Sequence, residues 1–497
     1  MNVPAFAWVI LLPLIGSPLA YLAGQVEDRM VPARQQSPWL PRSVALMALA
    51  GAWVAFVVAL QEPGALLPGP LAMLRADGLS LLMGALALGL GTLVVVYSGP
   101  YMAGEHGEEK YYAMLLAMIG AMIGLACTHD LFNLWVWFEA MAVSSYLLVG
   151  FYRDERGSLE ASVKYLVQSA TGSALILLGI ALVLMQTGTL DLDQIRLFKL
   201  GTPLLLAAGA LFTVGFGVKI ALVPMHTWLP DAHAQAPSGI SAMLSGVVIE
   251  AGLLALLRVY AGLSGLSLSW GELLIGFGVI NMTVGNLLAL RQTQVKRLLA
   301  FSSLSHVGYM VFGIGIALYS GQPGGAEGGF FHLLNHGLMK GLAFLTAGAM
   351  LYALGFAAGK TLTVTDLNGA ARRYPLTALA FSIALLGLAG LPPLAGFMSK
   401  WQIFVAGFAT QNVAIQVLVL FAALNSVVSL GYYMPLMNAM YRLEPSEAVT
   451  HGKALPVVMS TPLAILALAI VAIGLWPALL NWLTTPAGTA ILKAFGG

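Results

Sequence analysis

Charge is what this sequence has least of. Asp, Glu, Lys and Arg make up 9% of its 497 residues, where soluble domains carry roughly a quarter. That scarcity excludes an ordinary water-soluble fold. The net charge of +2 leaves no basic face for nucleic acid. Cysteine is nearly absent as well: Cys127 is the single one. One thiol closes no internal disulfide and holds no iron–sulfur cluster by itself. A redox cofactor of that kind is therefore expected in another chain, and none is expected in this one. The N-terminus, MNVPAFAWVILLPLIGSPLA, lacks the basic leader of a secretory signal and reads as a retained first helix.

What is abundant is apolar: 59% of the residues are hydrophobic. Apolar runs of about 20 residues, the length of a bilayer-crossing helix, recur from end to end. The polar/apolar alternation of a membrane barrel is missing. The expected fold is an all-α polytopic membrane protein of about 14 transmembrane helices. They centre near residues 12, 52, 88, 119, 140, 173, 214, 250, 280, 308, 342, 390, 425 and 470.

Counting connectors alternately divides the basic residues unevenly. Fifteen fall on one side, among them Arg29, Arg34, Arg42, Lys110, Arg153, Arg156, Lys296 and Lys453. Five fall on the other: Arg75, Arg196, Lys199, Arg258 and Lys493. Basic connectors favour the cytoplasm. The chain is therefore expected in a prokaryotic cytoplasmic membrane with both termini on the non-cytoplasmic side.

Three lysines fit neither set. Lys219, Lys340 and Lys400 lie within apolar segments, where a charge is costly and faces a partner or a wet cavity. Two of them adjoin helix breakers. Pro224 follows Lys219, and Pro392 and Pro393 precede Lys400. Proline removes an amide donor and clashes with the preceding turn, so the freed carbonyls need partners inside the protein. The two breaks fall five spans apart, one in each half. A unit of five helices inverts when repeated, so an inverted repeat is expected, with the transport pathway at the breaks. The divisions expected are an N-terminal segment 1–110, a first repeat 111–262, a second repeat 263–441 and a C-terminal segment 442–497.

Acids and histidines complete the set. Glu139 lies nine residues beyond Asp130, or about 13 Å along a helix. It is the natural partner of Lys219: unit charges 4 Å apart attract by about 4 kcal/mol at an effective dielectric near 20. Making or breaking such a pair decides whether the lysine keeps its proton. Glu250 is a second mid-span acid, read either as a relay or as a protonated structural group. His332, His336 and Lys340 are spaced i, i+4, i+8 and share one helix face. Imidazole titrates near neutrality and shuttles protons; metal or haem ligation by the two histidines is the rival reading. His306 extends the polar line or is a satisfied core histidine. The proton pathway expected from the residues is Glu139, Lys219, Glu250, His306, His332, His336, Lys340 and Lys400, with no catalytic chemistry and no metal.

Five segments carry a family resemblance: LFNLWVWFEAMAVSSYLL, VKIALVPMHTWLPDAHAQAPSGISAML, VKRLLAFSSLSHVGYM, HLLNHGLMKGLAFL and GLPPLAGFMSKW. Over nearly its full length the chain resembles the antiporter-like membrane subunits shared by respiratory complex I, membrane-bound hydrogenases and Mrp-type sodium/proton antiporters. GFMSKW leans toward the hydrogenase and Mrp D-type members. The resemblance implies fourteen helices in two inverted five-helix repeats, with the seventh and twelfth broken. It also implies proton translocation through a central polar axis, as one subunit of a multisubunit complex such as an NADH-quinone oxidoreductase or a hydrogenase. Glu139 matches the fifth-helix glutamate, Lys219 the seventh-helix lysine, Lys340 the eleventh-helix lysine and Lys400 the charged residue of the twelfth. Glu250 departs from the pattern, since many relatives carry a lysine or histidine near it; pairing with Lys219 or Lys340 is one expectation for it. Alternative functions are a self-sufficient sodium/proton antiporter and a coupling subunit of an inorganic-carbon uptake system.

Overall fold

The computed structural model describes residues 4–30, 39–61, 74–198, 201–266, 268–356 and 359–496. Arg34 and Lys199 lie outside them. Among the described residues every regular element is a helix, and the only β pairings are three isolated bridges. Among the described residues, twelve helices are long and apolar enough to cross a membrane.

The first six are α1 (Ala5–Met30), α2 (Leu40–Ala59), α3 (Gly78–Met102), α4 (Glu108–Cys127), α5 (Leu131–Val149) and α6 (Arg156–Thr187). Their starts follow capping chemistry. The Asp77 carboxylate accepts from the Ser80 amide at 2.9 Å, and the Ser80 hydroxyl accepts from the Asp77 amide. This reciprocal box satisfies two of the amides a helix start leaves free. Asp130 caps α5 by accepting from the Asn133 amide at 2.8 Å.

Next come α7 (Pro203–Ile220), the short α8 (Leu229–Gln235), α9 (Ser238–Gly262), α10 (Trp270–Ala289) and α11 (Val295–Ser320). Then follow α12 (Pro323–Ala353), α13 (Pro375–Ala389), α14 (Ala395–Ala409), α15 (Val413–Arg442), α16 (Val457–Leu475) and α17 (Asn481–Phe495). Two expected centres fall outside the twelve. The one near 342 lies in α12, which is long enough but carries His332, Asn335, His336 and Lys340. The one near 390 falls between α13 and α14.

Burial sorts the helices. The most apolar stretches of α9 and α11 are wholly buried, while those of α2 and α15 mostly face outward. Helices apolar all round fit either place in a membrane protein; what selects the centre here is small residues. On α10, Gly271, Gly278 and Gly285 repeat every seven residues against Gly308 and Gly315 of α11. A Cβ on Gly308 would sit 2.6 Å from the Gly278 carbonyl oxygen. Close backbone approach of this kind is how membrane helices pack without a hydrophobic driving force.

Among the described residues, two basic residues counted as connectors are buried within helices. Arg258 of α9 is 6% exposed and Lys296 of α11 is 5% exposed. Both sit within a turn or so of a helix end, where hydropathy alone does not separate a connector from a capped terminus. Arg258 donates to the Ala126 carbonyl at the end of α4 and to Asp77 at 2.8 Å; Lys296 donates to the Ala236 carbonyl.

Candidate functional site: a buried line of titratable groups

The free backbone groups at the ends of α7 and α13 are satisfied differently. After α7, Ala221 adopts φ +59°, a left-handed conformation that is costly for a side chain. The indole of Trp228 donates to the Val218 carbonyl at 2.7 Å. Asn281 of α10 accepts from the Val223 amide at 2.9 Å and donates to the Ala221 carbonyl at 3.3 Å. Neutral side chains thus close this break and leave Lys219 free of it. At the end of α13, Lys400 itself does the closing. Its ammonium donates to the Leu388 and Ala389 carbonyls at 3.0 and 3.4 Å and to the Ser426 hydroxyl at 2.8 Å. A cation there complements the negative end of a helix.

Lys219 is fully buried. It donates to the Tyr165 hydroxyl at 2.5 Å and the Ser145 hydroxyl at 3.1 Å. Its nitrogen also lies 4.5 Å from the Tyr165 ring centre and 5.9 Å from that of Phe138. Glu139 is half-buried on α5, and its buried Oε1 has no partner. No ion pair within 4.0 Å joins the two. The expected partners therefore stand in an open arrangement, the lysine held by hydroxyls.

Glu250 takes neither lysine. Its Oε1 lies 2.9 Å from His336 Nδ1, with both side chains fully buried. Backbone contact sets this distance: a Cβ on Gly337 would stand 2.7 Å from the Gly246 carbonyl oxygen. Gly246 belongs to a single π turn, Leu244–Val248, just before Glu250. Beyond His336 the line continues. The His306 ring centre lies 5.3 Å from that of His336. His306 Nδ1 is 3.0 Å from His332 Nε2, and His332 Nδ1 is 2.8 Å from the Ser399 hydroxyl. Ser399 adjoins Lys400, whose nitrogen stands 4.7 Å over the Tyr309 ring; that ring is 5.7 Å from His332. Lys400 also lines a cavity of about 190 Å³ with Gly390, Trp401 and Ser426.

Lys340 branches off. It donates to the Leu299 carbonyl at 2.7 Å and the Ser302 hydroxyl at 2.6 Å, and Ser302 bonds Tyr433. The structure thus brings Glu250, His306, His332 and His336 into one contiguous set. It puts Lys219 with Glu139 on one flank and Lys400 on the other. His332 bonds His306 and Ser399 while His336 bonds Glu250, and the His306 ring lies beside both.

Several neighbours of these groups escaped the sequence reading. Tyr165, Ser145, Ser302, Ser399 and Ser426 are single hydroxyls on apolar helices, and nothing in the sequence distinguishes them from ordinary packing residues. His233 is more informative: it is fully buried, both ring nitrogens lack partners, and it stacks on Phe344 at 4.8 Å. Its place in the PDAHAQAP segment beside the first break was the available signal.

Helices that cross a membrane around a buried row of Glu, Lys and His define a class: ion-translocating membrane proteins. Residues 128–429 match the family described as NADH:quinone oxidoreductase/Mrp antiporter, transmembrane region. Residues 72–112 match the N-terminal region of NADH-ubiquinone oxidoreductase (complex I) chain 5. The chain belongs to the NADH:quinone oxidoreductase/Mrp antiporter membrane-subunit family. It is 34% identical over 413 residues to the F(420)H(2) dehydrogenase subunit N of Methanosarcina mazei, covering 81% of this chain and 82% of that one. To hydrogenase-4 component B of Escherichia coli it is 36% identical, covering 68% of this chain and 52% of that one. Among solved structures, a chain of the archaeal membrane-bound sulfane sulfur reductase superposes with TM-score 0.86 at 28% identity, over 99% of both chains. A chain of respiratory complex I from Thermus thermophilus gives TM-score 0.75 at 31% identity, covering 94% of this chain and 98% of that one.

Proposed function

We propose that this chain is a proton-translocating subunit of a multisubunit membrane complex, and that protons move along the row Glu139, Lys219, Glu250, His336, His306, His332 and Lys400, with Lys340 as a side branch. The observation that carries the reading is the Glu250–His336–His306–His332–Ser399 sequence of contacts, four titratable side chains buried in the middle of the fold. Groups so costly to bury accompany a pathway in membrane proteins. The partners follow from the relatives, whose names and titles are those of complex subunits. Redox chemistry is assigned to those partners, in keeping with a single buried cysteine here.

In this reading α7 with α8, and α13 with α14, are the halves of two broken crossings, and α12 is a further crossing. That makes fourteen. Residues 111–262 and 263–441 then form inverted repeats of equal order: three continuous helices, a broken one, a continuous one. The lysine precedes the break in the first and follows it in the second. Both termini lie on the non-cytoplasmic side, a topology that accessibility of an N-terminal tag in oriented vesicles tests.

The functional test uses Glu250→Gln in the assembled complex reconstituted in liposomes. Glutamine keeps the shape and a hydrogen bond to His336 but exchanges no proton. The expected result is proton translocation reduced by at least tenfold with all subunits retained. Translocation near the wild-type rate would reject the pathway through Glu250.

A further inference from the structure

A cleft of about 550 Å³ opens between α1, α4 and α5 on the side that carries most of the basic connectors. Clefts of roughly 300–1,000 Å³ are the size that small ligands fill. Its walls are apolar, formed by Tyr21, Met114, Leu147, Leu148 and Phe151 among others. Its rim is basic: His106, Lys110 and Arg153. The walls run inward from this rim. Met114 lies six residues into α4, which begins at Glu108, so the cleft descends about 9 Å along the helix. That is the passage from headgroup level into hydrocarbon.

The rim cations are poorly matched. Other surface cations hold close carboxylates: Arg372 meets both oxygens of Glu444 at 2.6 and 2.8 Å, and Lys164 meets Glu160 at 2.6 Å and Asp231 at 3.1 Å. Among the described residues Arg153 has no ion pair and no side-chain hydrogen bond, and Lys110 reaches only Glu109, at 3.9 Å. A second apolar groove, about 370 Å³ between α13 and α16, is lined by no charged residue. It offers lipid tails the same walls but nothing that distinguishes headgroups.

From the basic rim over an apolar cleft, we infer that the space between α1, α4 and α5 is a binding site for one anionic phospholipid. Its phosphate lies against Lys110 and Arg153, with His106 at the edge. One acyl chain descends along Met114 and Leu147 toward Tyr21. The cations select the headgroup and the walls hold the chain, as in other basic sites that bind anionic lipids at a membrane face. A neighbouring subunit filling the same cleft is the alternative that the test separates.

The intact complex, purified in detergent and stripped of exchangeable lipid, is titrated with phosphatidylglycerol and with phosphatidylcholine, and bound lipid is counted by native mass spectrometry. Wild type is expected to prefer phosphatidylglycerol. The variant Lys110→Gln/Arg153→Gln is expected to lose about 25-fold in that preference, at roughly fivefold per cation. Leu147→Trp, which fills the cleft from an exposed position, is expected to release both lipids while subunit composition stays complete. Equal binding of the two lipids by wild type, or a preference unchanged in both variants, would overturn the inference. So would a photo-crosslinker at Leu147 that captures a neighbouring subunit instead of lipid.

Discussion

Lys219 shows how a buried cation is held without a counter-ion. An ammonium has three donors; two are taken by the Tyr165 and Ser145 hydroxyls, and the Tyr165 ring adds cation–π attraction. These hydroxyls stand where a counter-ion would otherwise be needed. Removing one hydroxyl exposes the balance. Tyr165→Phe should slow translocation by at least about tenfold, in line with the roughly 1.5–3 kcal/mol of a hydrogen bond to a charged group; an unchanged rate would deny Tyr165 a part. A second residue-scale consequence lies outside the spans. Burial and the Arg258 guanidinium push His129, between α4 and α5, down to about 4. Neutral when folded but protonated when unfolded, it costs stability as pH falls from the ordinary 6.5 toward 4. Nearby Asp77 is held below the usual range: burial opposes its charge, but Arg258 outweighs that. Its contribution is present at neutral pH and is lost as the pH falls through the carboxylate range, so it adds to the acid loss. His129→Gln should remove roughly 2 kcal/mol of the destabilisation between pH 7 and pH 5, seen as a flatter thermal-melting profile.

Elements rather than residues set the geometry of the row. Asn281 and Trp228, neither of them titratable, take the free backbone groups after α7, whereas the titratable Lys400 takes those at the end of α13. Asn281→Leu should strand one amide and one carbonyl in a water-poor site, at about 1–3 kcal/mol each, and lower the melting temperature of the complex without altering any titratable group. The Gly246–Gly337 contact fixes α9 against α12. Gly337→Leu should part them and slow translocation more than it lowers stability, measured by pumping rate beside melting temperature. Much of this scale was legible in the sequence. Pro224, Pro392 and Pro393 fall where α7 and α13 have ended, because proline acts locally. The i, i+4, i+8 spacing placed His332, His336 and Lys340 on α12 for the same reason. What was hidden was which groups meet across helices. Nothing local says that Glu250 faces His336 instead of a lysine, since that depends on glycines more than 80 residues apart closing two helices together. The C-terminal α17, packed against α3 and α12, was equally silent, its pattern being that of any short amphipathic stretch.

Across the whole molecule, the lipid-facing helices are plain and the central ones are polar. α9, α11 and α12 carry Glu250, His306, His332, His336 and Lys340, surrounded by helices with few ionisable side chains in their membrane portions. The result is a row of titratable side chains buried at the centre of the fold, with Lys219 and Lys400 on its two flanks. The most direct measurement is pH-gradient formation by the reconstituted complex carrying Lys219→Met, which keeps the bulk of the side chain and deletes its proton. The account predicts full assembly with the gradient lost. A gradient of wild-type size from that variant would contradict it.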